Sequence, residues 1–311
     1  MLKKTTYTFE LDANKAAELE SWLRSNGYDF STAPHAKFAA QKGKVSVVFY
    51  ESGKLVVQGA EASDFVEFVL EPVILKEARL GYEAFLNPEL MLPRIGVDES
   101  GKGDLLGPLC VAAVYVNESV IRAWEDADIR DSKRVSSDQR VAELARVIRS
   151  TPGCKFNLVQ IGNVAYNRLH GEMGNVNDIL AWGHARAIEN LLERSSLNPP
   201  PARIISDQFA SNKATLGRAI MTLGRQVELV QRHKAESDLA VAAASILARD
   251  AFVSALRRME KEYGLEFPKG ASGASEEALR KFVEKYGVER AGEVAKMHFQ
   301  NALRIVASAQ G

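Results

Sequence analysis

Four carboxylates stand where strand-like runs end or a helix begins. They are Asp98 and Glu99 in "RIGVDES", Asp207 in "ARIISDQFA" and Glu236 in "RHKAES". Acids at the carboxyl ends of strands in an α/β sheet fall in the usual ligand crevice. Gathered together they repel one another, and divalent cations relieve that repulsion. Hard oxygen donors favour Mg²⁺ or Mn²⁺, and two such ions about 4 Å apart clamp the attacking and leaving oxygens of a phosphodiester. Taken singly, each acid is better read as a helix cap or a surface charge, and Glu236 suits the N-terminus of a helix. Spacing alone does not bring the four together. The five histidines contain no i, i+4 zinc pair.

The stretch "GVDESGKGDLLGP" sets a bare turn beside two of these acids. Gly101 and Gly103, flanking Lys102, let backbone N–H groups approach a ligand closely. By itself a G-x-G is also just a tight turn.

The elements that must position these groups follow from patterning. Strand-like "RIGVDE", "LCVAAVYV" and "KFNLVQIG" come first, with a helix around 137–149 before the third. An amphipathic helix over about 176–194 follows, then strands ending at Asp207 and at "RHKAES". The run "LAVAAASILARDAFVSALRRME" is apolar nearly all round in its first half, as expected of a helix buried against a sheet. This order predicts a mixed sheet with helices on both faces.

Residues 1–80 read as a separate small α+β unit: strand "YTFEL", a helix capped by Asp12, strands "AKFAAQ", "KVSVVFY" and "KLVVQG", and an acidic helix over about 62–70. With helices on one sheet face, the other is left open. Lys37, Lys42, Lys44 and Lys54 fall on or between the strands among Phe38, Phe49 and Tyr50. Basic and aromatic groups on a bare sheet suit nucleic acid, and edge lysines that block aggregation are the plain alternative. Pro88 and Pro93 mark a linker over 81–92, and the main domain is expected over 93–311.

Composition narrows the classes. The 311 residues are 46% hydrophobic and 26% charged, as in ordinary globular proteins. Net charge is zero, so a polyanion must be held by a local patch. No apolar run reaches the length of a bilayer span, and no secretory core follows the first lysines, so a cytoplasmic location with no membrane partner is expected. Cys110 and Cys154 are expected to be structural, as free cysteines usually are.

Taken together, "GVDESGKGDLLGP", "DSKRVS", "DQFA", "HKAES", "VAAASILARD", "PKGAS" and "KMHFQN" resemble the prokaryotic type 2 ribonuclease H family, and within it ribonuclease HIII. The motifs run in family order across about 94–301, and the first 80 residues resemble the TBP-like substrate-binding domain of that group. The resemblance implies an RNase H-like α/β fold preceded by a small α+β TBP-like domain. It implies an enzyme that cleaves the RNA strand of RNA/DNA hybrids with two Mg²⁺ or Mn²⁺ ions, leaving 5′-phosphate and 3′-hydroxyl ends; a monomer is expected. Asp98, Glu99, Asp207 and Glu236 carry over as its catalytic and metal-binding acids, with Asp98 bridging. Gly101, Lys102, Gly103, Ser132, Lys133, Lys234, Lys42, Lys44 and Lys54 are the expected nucleic-acid contacts. Lys296 and His298 are candidate supports of the site, while His233, Trp182 and His184 are read as structural or packing residues.

Ribonuclease HII usually has aspartate where Glu236 stands and a tyrosine where Ala271 stands. The turn departs from both groups, since HIII members often place threonine between the glycines and HII members arginine. Two alternatives remain: an HII-like enzyme acting at single ribonucleotides in DNA, and a non-catalytic hybrid-binding protein.

Overall fold

The computed structural model describes residues 5–77, 88–124, 129, 137–209, 214–233 and 235–310. The chain divides into two compact units, residues 1–91 and 92–311. The expected linker over 81–92 falls largely outside the described residues, as do Ser132, Lys133 and Lys234.

In the first unit, β1 (Thr6–Glu10), β2 (Asp29–Ser31), β3 (Ala36–Lys42), β4 (Val45–Tyr50) and β5 (Lys54–Gln58) form an antiparallel sheet ordered β1-β5-β4-β3-β2. Helix α1 (Ala13–Ser25) starts at Asp12, whose carboxylate accepts the N–H groups of Asn14 and Lys15. Helix α2 (Ala62–Phe65) runs on as a π-helix over Val66–Leu75, so the acidic helix expected to end near Leu70 is longer and wider than its pattern implied. Pro72 lies inside that stretch; it supplies no backbone N–H, which disfavours regular α-helical bonding there.

Strand alternation sends Tyr7, Phe38, Ala40, Val47, Phe49, Leu55 and Val57 into one core with Leu19, Leu23 and Leu70. The opposite face carries cross-strand rows. One is Thr6, Gln58, Ser46, Gln41 and Asp29; the next is Thr8, Val56, Val48, Ala39 and Ser31.

This corrects the expected basic and aromatic platform. Phe38 and Phe49 point into the core, and Lys42 shares their side because it follows Phe38 and Ala40 at spacing two. Its ammonium donates to the Asn26 carbonyl (2.7 Å) and sits 5.7 Å from the centre of the Tyr28 ring. Lys37 lies 5.6 Å from the centre of the Phe49 ring. Lys54 is exposed and paired in register with Glu10, and Lys44 lines a shallow depression with Thr6, Gln41, Ser46 and Gln58. The open face is therefore mostly uncharged polar and small.

The second unit is built on a mixed sheet ordered β10-β9-β6-β7-β8. Its strands are β6 (Arg94–Ser100), β7 (Leu109–Val116), β8 (Lys155–Ile161), β9 (Arg203–Asp207) and β10 (Glu228–Arg232). β6, β7 and β8 are antiparallel neighbours, whereas β9 pairs in parallel with both β6 and β10. Between them come α3 (Glu118–Ala123), α4 (Asp138–Ser150), α5 (Asn163–Met173), α6 (Val176–Arg194) and α7 (Ala214–Ala219). After β10 come α8 (Leu239–Tyr263), α9 (Ala274–Tyr286) and α10 (Gln300–Ser308).

Ile95 and Val97 of β6 pack with Ile179, Leu180 and Ile188 of α6. Gly96, between them, faces the other way, and any side chain there would strike the backbone of α8 at Ala240 and Val241. The alanine-rich start of α8 and Gly96 thus belong to one close contact. Contrary to the expectation that no apolar run reaches the length of a bilayer span, α8 is long and apolar enough to cross a membrane, yet 72% of its most apolar stretch is buried in the protein. It is a core helix.

Candidate active site

The alternation that separates Ile95 from Gly96 also separates the two adjacent acids. Asp98 follows Gly96 and faces α8, where the Ser245 hydroxyl lies near enough to favour its charged form. Glu99 follows Val97 and faces α6, where His184 Nε2 lies 2.9 Å from Glu99 Oε2. The two acids stand side by side in sequence, but their supports come from opposite layers.

Asp207 ends β9. Because Val97 pairs with Ser206 in the parallel β6–β9 ladder, Asp98 and Asp207 occupy corresponding positions on neighbouring strands. Asp207 Oδ1 accepts the N–H of Ala235 (3.3 Å), which joins β9 to the short 3₁₀ turn Ala235–Ser237 that carries Glu236. That turn is anchored behind by Asp238. Its carboxylate caps α8 at Ala240 N (2.9 Å) and pairs with Arg94 Nε at the start of β6 (2.8 Å). Both ion-pair side chains are almost wholly buried, at 4% and 6% exposure.

Electrostatics separates the neighbours further. Burial, reinforced by the charge of Glu99, pushes the Asp98 carboxyl up to about 7, against the opposing pull of Ser245 and His184. Burial also pushes Glu99 upward. The His184 hydrogen bond and charge, together with the Lys102 charge, outweigh it and leave Glu99 below its ordinary value. A buried acid raised by a neighbouring carboxylate is a place where positive charge is missing.

The donors are hard oxygens, so a divalent cation of the Mg²⁺ or Mn²⁺ kind fits their chemistry. Among the described residues, however, no three His, Cys, Asp or Glu side chains are close enough to enclose an ion by themselves. An open set agrees with Mg²⁺-type binding, where one or two carboxylates share the ion with water and substrate phosphate.

The glycine turn does two separate jobs. Gly101 is buried with φ +94°, and a side chain there would run into the Pro108 carbonyl and the Phe252 ring. Gly103 is exposed, and a methyl group in its place would meet nothing within 4 Å. The protein itself demands a glycine at 101 and leaves open space at 103. Lys102 turns toward the site: its ammonium lies 5.9 Å from the centre of the Phe209 ring, and its charge acts on Glu99.

The same loop is held from below by the last motifs. Fully buried Lys296 donates to the carbonyls of Asp104 (2.9 Å) and Gly107 (2.6 Å), and Asn163 Nδ2 also reaches Gly107 O (2.9 Å). Asp104 Oδ1 accepts the N–H of Gly270 (2.7 Å) in "PKGAS". Burial lowers the Lys296 ammonium to about 8, opposed by the charges of Asp104 and Cys110. His298 instead stacks on His170 with ring centres 4.8 Å apart, and burial, followed by the charges of His170 and Lys296, pushes it down to about 4. A separate groove of about 870 Å³, lined by residues of α9 and α10, contains none of the four acids.

Sequence reasoning missed Ser245, Phe209 and the Arg94–Asp238 pair, and it read His184 as packing. A lone hydroxyl in an alanine run and a lone imidazole on an apolar helix face were the available signals.

A mixed sheet with acids at corresponding ends of two parallel neighbours, covered by helices on both sides, defines an RNase H-like nuclease. Comparisons with known proteins agree. The family model described as Ribonuclease HII matches residues 95–302, and one described as Domain of unknown function (DUF3378) matches residues 9–78. Ribonuclease HIII of Protochlamydia amoebophila is 40% identical over 290 residues, covering 93% of each chain. Ribonuclease HIII of Chlamydia pneumoniae is 38% identical over 301 residues, covering 94% of this chain and 96% of its own. The crystal structure of Bst-RNase HIII in complex with Mn²⁺ superposes with a TM-score of 0.66 at 27% identity, over 98% of this chain and 99% of that one. The chain belongs to the type 2 ribonuclease H family, in its ribonuclease HIII branch.

Proposed function

We propose that the ribonuclease H activity of this chain, endonucleolytic cleavage of the RNA strand of an RNA/DNA hybrid, is carried by Asp98, Glu99, Asp207 and Glu236 acting with two divalent cations, Mg²⁺ or Mn²⁺. The observation that supports this reading is the register of the parallel β6–β9 pair, which brings Asp98 and Asp207 level at the ends of two neighbouring strands. The cations, when bound, would neutralise the acids and polarise the water and phosphodiester, leaving 5′-phosphate and 3′-hydroxyl ends.

Asp98, raised to about 7, is the acid with most to gain from a cation. Gly103 offers unobstructed backbone to the ribose of the cut strand, where 2′-hydroxyls distinguish RNA from DNA. Lys102 adds a positive charge at the mouth of the site for phosphate. Ser132, Lys133 and Lys234 remain proposed phosphate contacts from their motifs alone. On the first unit the polar rows through Gln58, Ser46 and Gln41 form the proposed hybrid-binding face, with Lys44 and Lys54 at its margins and Lys42 turned away. A monomeric, cytoplasmic protein is part of the same proposal, and the apolar α8 is buried in the core rather than exposed to lipid.

The test uses the full chain with Mg²⁺ or Mn²⁺, a uniform RNA/DNA hybrid, and a DNA duplex holding one ribonucleotide. Cuts in the RNA strand of the hybrid are expected, with 5′-phosphate ends. Asp98→Asn should reduce cutting to background while hybrid binding persists. Absence of cutting by the unaltered chain under either metal would refute the catalytic reading, and preferred cutting at the single ribonucleotide would support an HII-like specificity.

A further inference from the structure

His184 is fully buried on α6, a helix whose covered face is otherwise mostly apolar. The other buried acid or base on that face, Glu189, accepts the N–H groups of Leu223 and Gly224 and so secures a turn. His184 has no such turn to secure. Its Nε2 lies 2.9 Å from Glu99 Oε2, and its Nδ1 lies 3.3 Å from Ser206 Oγ. Ser206 Oγ in turn lies 3.0 Å from the Asp207 carbonyl. Polar contacts therefore run from Glu99 on β6 through His184 to Ser206 on β9, the residue next to Asp207.

An ionised carboxylate only accepts hydrogen bonds, so Nε2 must be the donor to Glu99. The Phe209 ring packs against the imidazole with centres 4.9 Å apart, helping to keep the ring in place. With His184 at 0% exposure and the Glu99 side chain at 13%, solvent has little access to replace that donor.

We propose that His184 is a positioning residue for metal binding: it occupies one oxygen of Glu99, fixes the rotamer of that carboxylate and presents the other oxygen to the cation, while Ser206 ties the imidazole to the strand that carries Asp207. The proposal rests on the reading of Glu99 as a cation ligand. Hydrogen-bond partners behind metal ligands typically alter metal affinity by about 10- to 100-fold when removed.

Two polar replacements separate the roles of the ring nitrogens. In His184→Gln the amide nitrogen reaches about as far as Nε2 and keeps the donor to Glu99. In His184→Asn it reaches only about as far as Nδ1, toward Ser206. Binding of Mn²⁺ alone to the metal-free full chain is read from the free-ion EPR signal. Cleavage of a uniform hybrid is followed against Mn²⁺ concentration. His184→Asn should weaken Mn²⁺ binding roughly 10- to 100-fold and shift the Mn²⁺ midpoint of cleavage by a similar factor. Its rate at saturating Mn²⁺ and its KM for hybrid should change far less. His184→Gln should restore Mn²⁺ binding to within about threefold of the unaltered chain, a small change beside the expected loss. Equal Mn²⁺ affinity in both variants, whether high or low, would overturn the positioning role, because a merely structural histidine has no reason to distinguish them. Glu99→Gln serves as the control: unchanged Mn²⁺ binding there refutes the ligand reading itself, whereas weakened binding there with no split between Asn and Gln refutes the role of His184 alone.

Discussion

The described residues form two five-stranded sheets that treat charge in opposite ways. The first is antiparallel, covered by helices on one face, and leaves the other face to Thr6, Gln58, Ser46 and Gln41 with charges at the margins. The second is mixed and covered on both faces, and its carboxylates gather at the ends of β6 and β9, where burial and proximity drive Asp98 up to about 7. Neutral donors and acceptors can face solvent at little cost. Concentrated, uncompensated carboxylate charge needs packing to hold it in place.

The contrast can be broken first at its most rigid point. Gly101→Ala puts a side chain against the Pro108 carbonyl at φ +94° and should destabilise the second unit by about 3 kcal/mol in urea unfolding. Gly103→Ala, in open space, should stay within about 0.5 kcal/mol of the unaltered chain yet weaken hybrid binding. Equal stability losses at the two glycines would mean that the turn is simply a turn.

The next test concerns stored charge. An unfolded aspartate titrates near 3.8, and Asp98 in the fold near 7. Between these values the native state keeps a proton that the unfolded state has lost, so the Asp98 contribution to stability falls as pH rises through that window. Thermal unfolding of the metal-free protein should show this decline, and Asp98→Asn should flatten it and raise the midpoint at pH 7.5. An unchanged slope would deny that the second sheet holds uncompensated charge.

Smaller effects should sharpen the binding side. Ser46→Glu places a carboxylate between Gln41 and Gln58, and repulsion from one phosphate of about 1 kcal/mol should weaken hybrid binding roughly fivefold. Its kcat at saturating hybrid should be unchanged, as checked by steady-state kinetics. Smallest of all, Lys54→Ala should reduce the slope of log affinity against log salt by about one if Lys54 neutralises one phosphate. A Lys42→Ala control should leave that slope alone, because Lys42 is spent on Asn26 and Tyr28.

Much of the second unit was legible in the chain. Strand-ending acids, the 176–194 helix, and the alanine-rich buried helix all follow from residue type and periodicity, which depend on near neighbours. The first unit was less so. The short β2 was missed, the helix after β5 is prolonged as a π-helix, and Lys42 faces the core side because the phase of β3 is set by Phe38 and Ala40.

Strand alternation alone dictates that Asp98 and Glu99 point to opposite sides of their strand. What meets them there comes from packing: Ser245 of α8 on one side and His184 of α6 on the other. Those partners lie more than 80 positions along the chain, and no local rule connects residues so far apart. Packing of two helical layers on one sheet connects them, and it does so because Gly96 on one side and Ile95 and Val97 on the other let both layers approach.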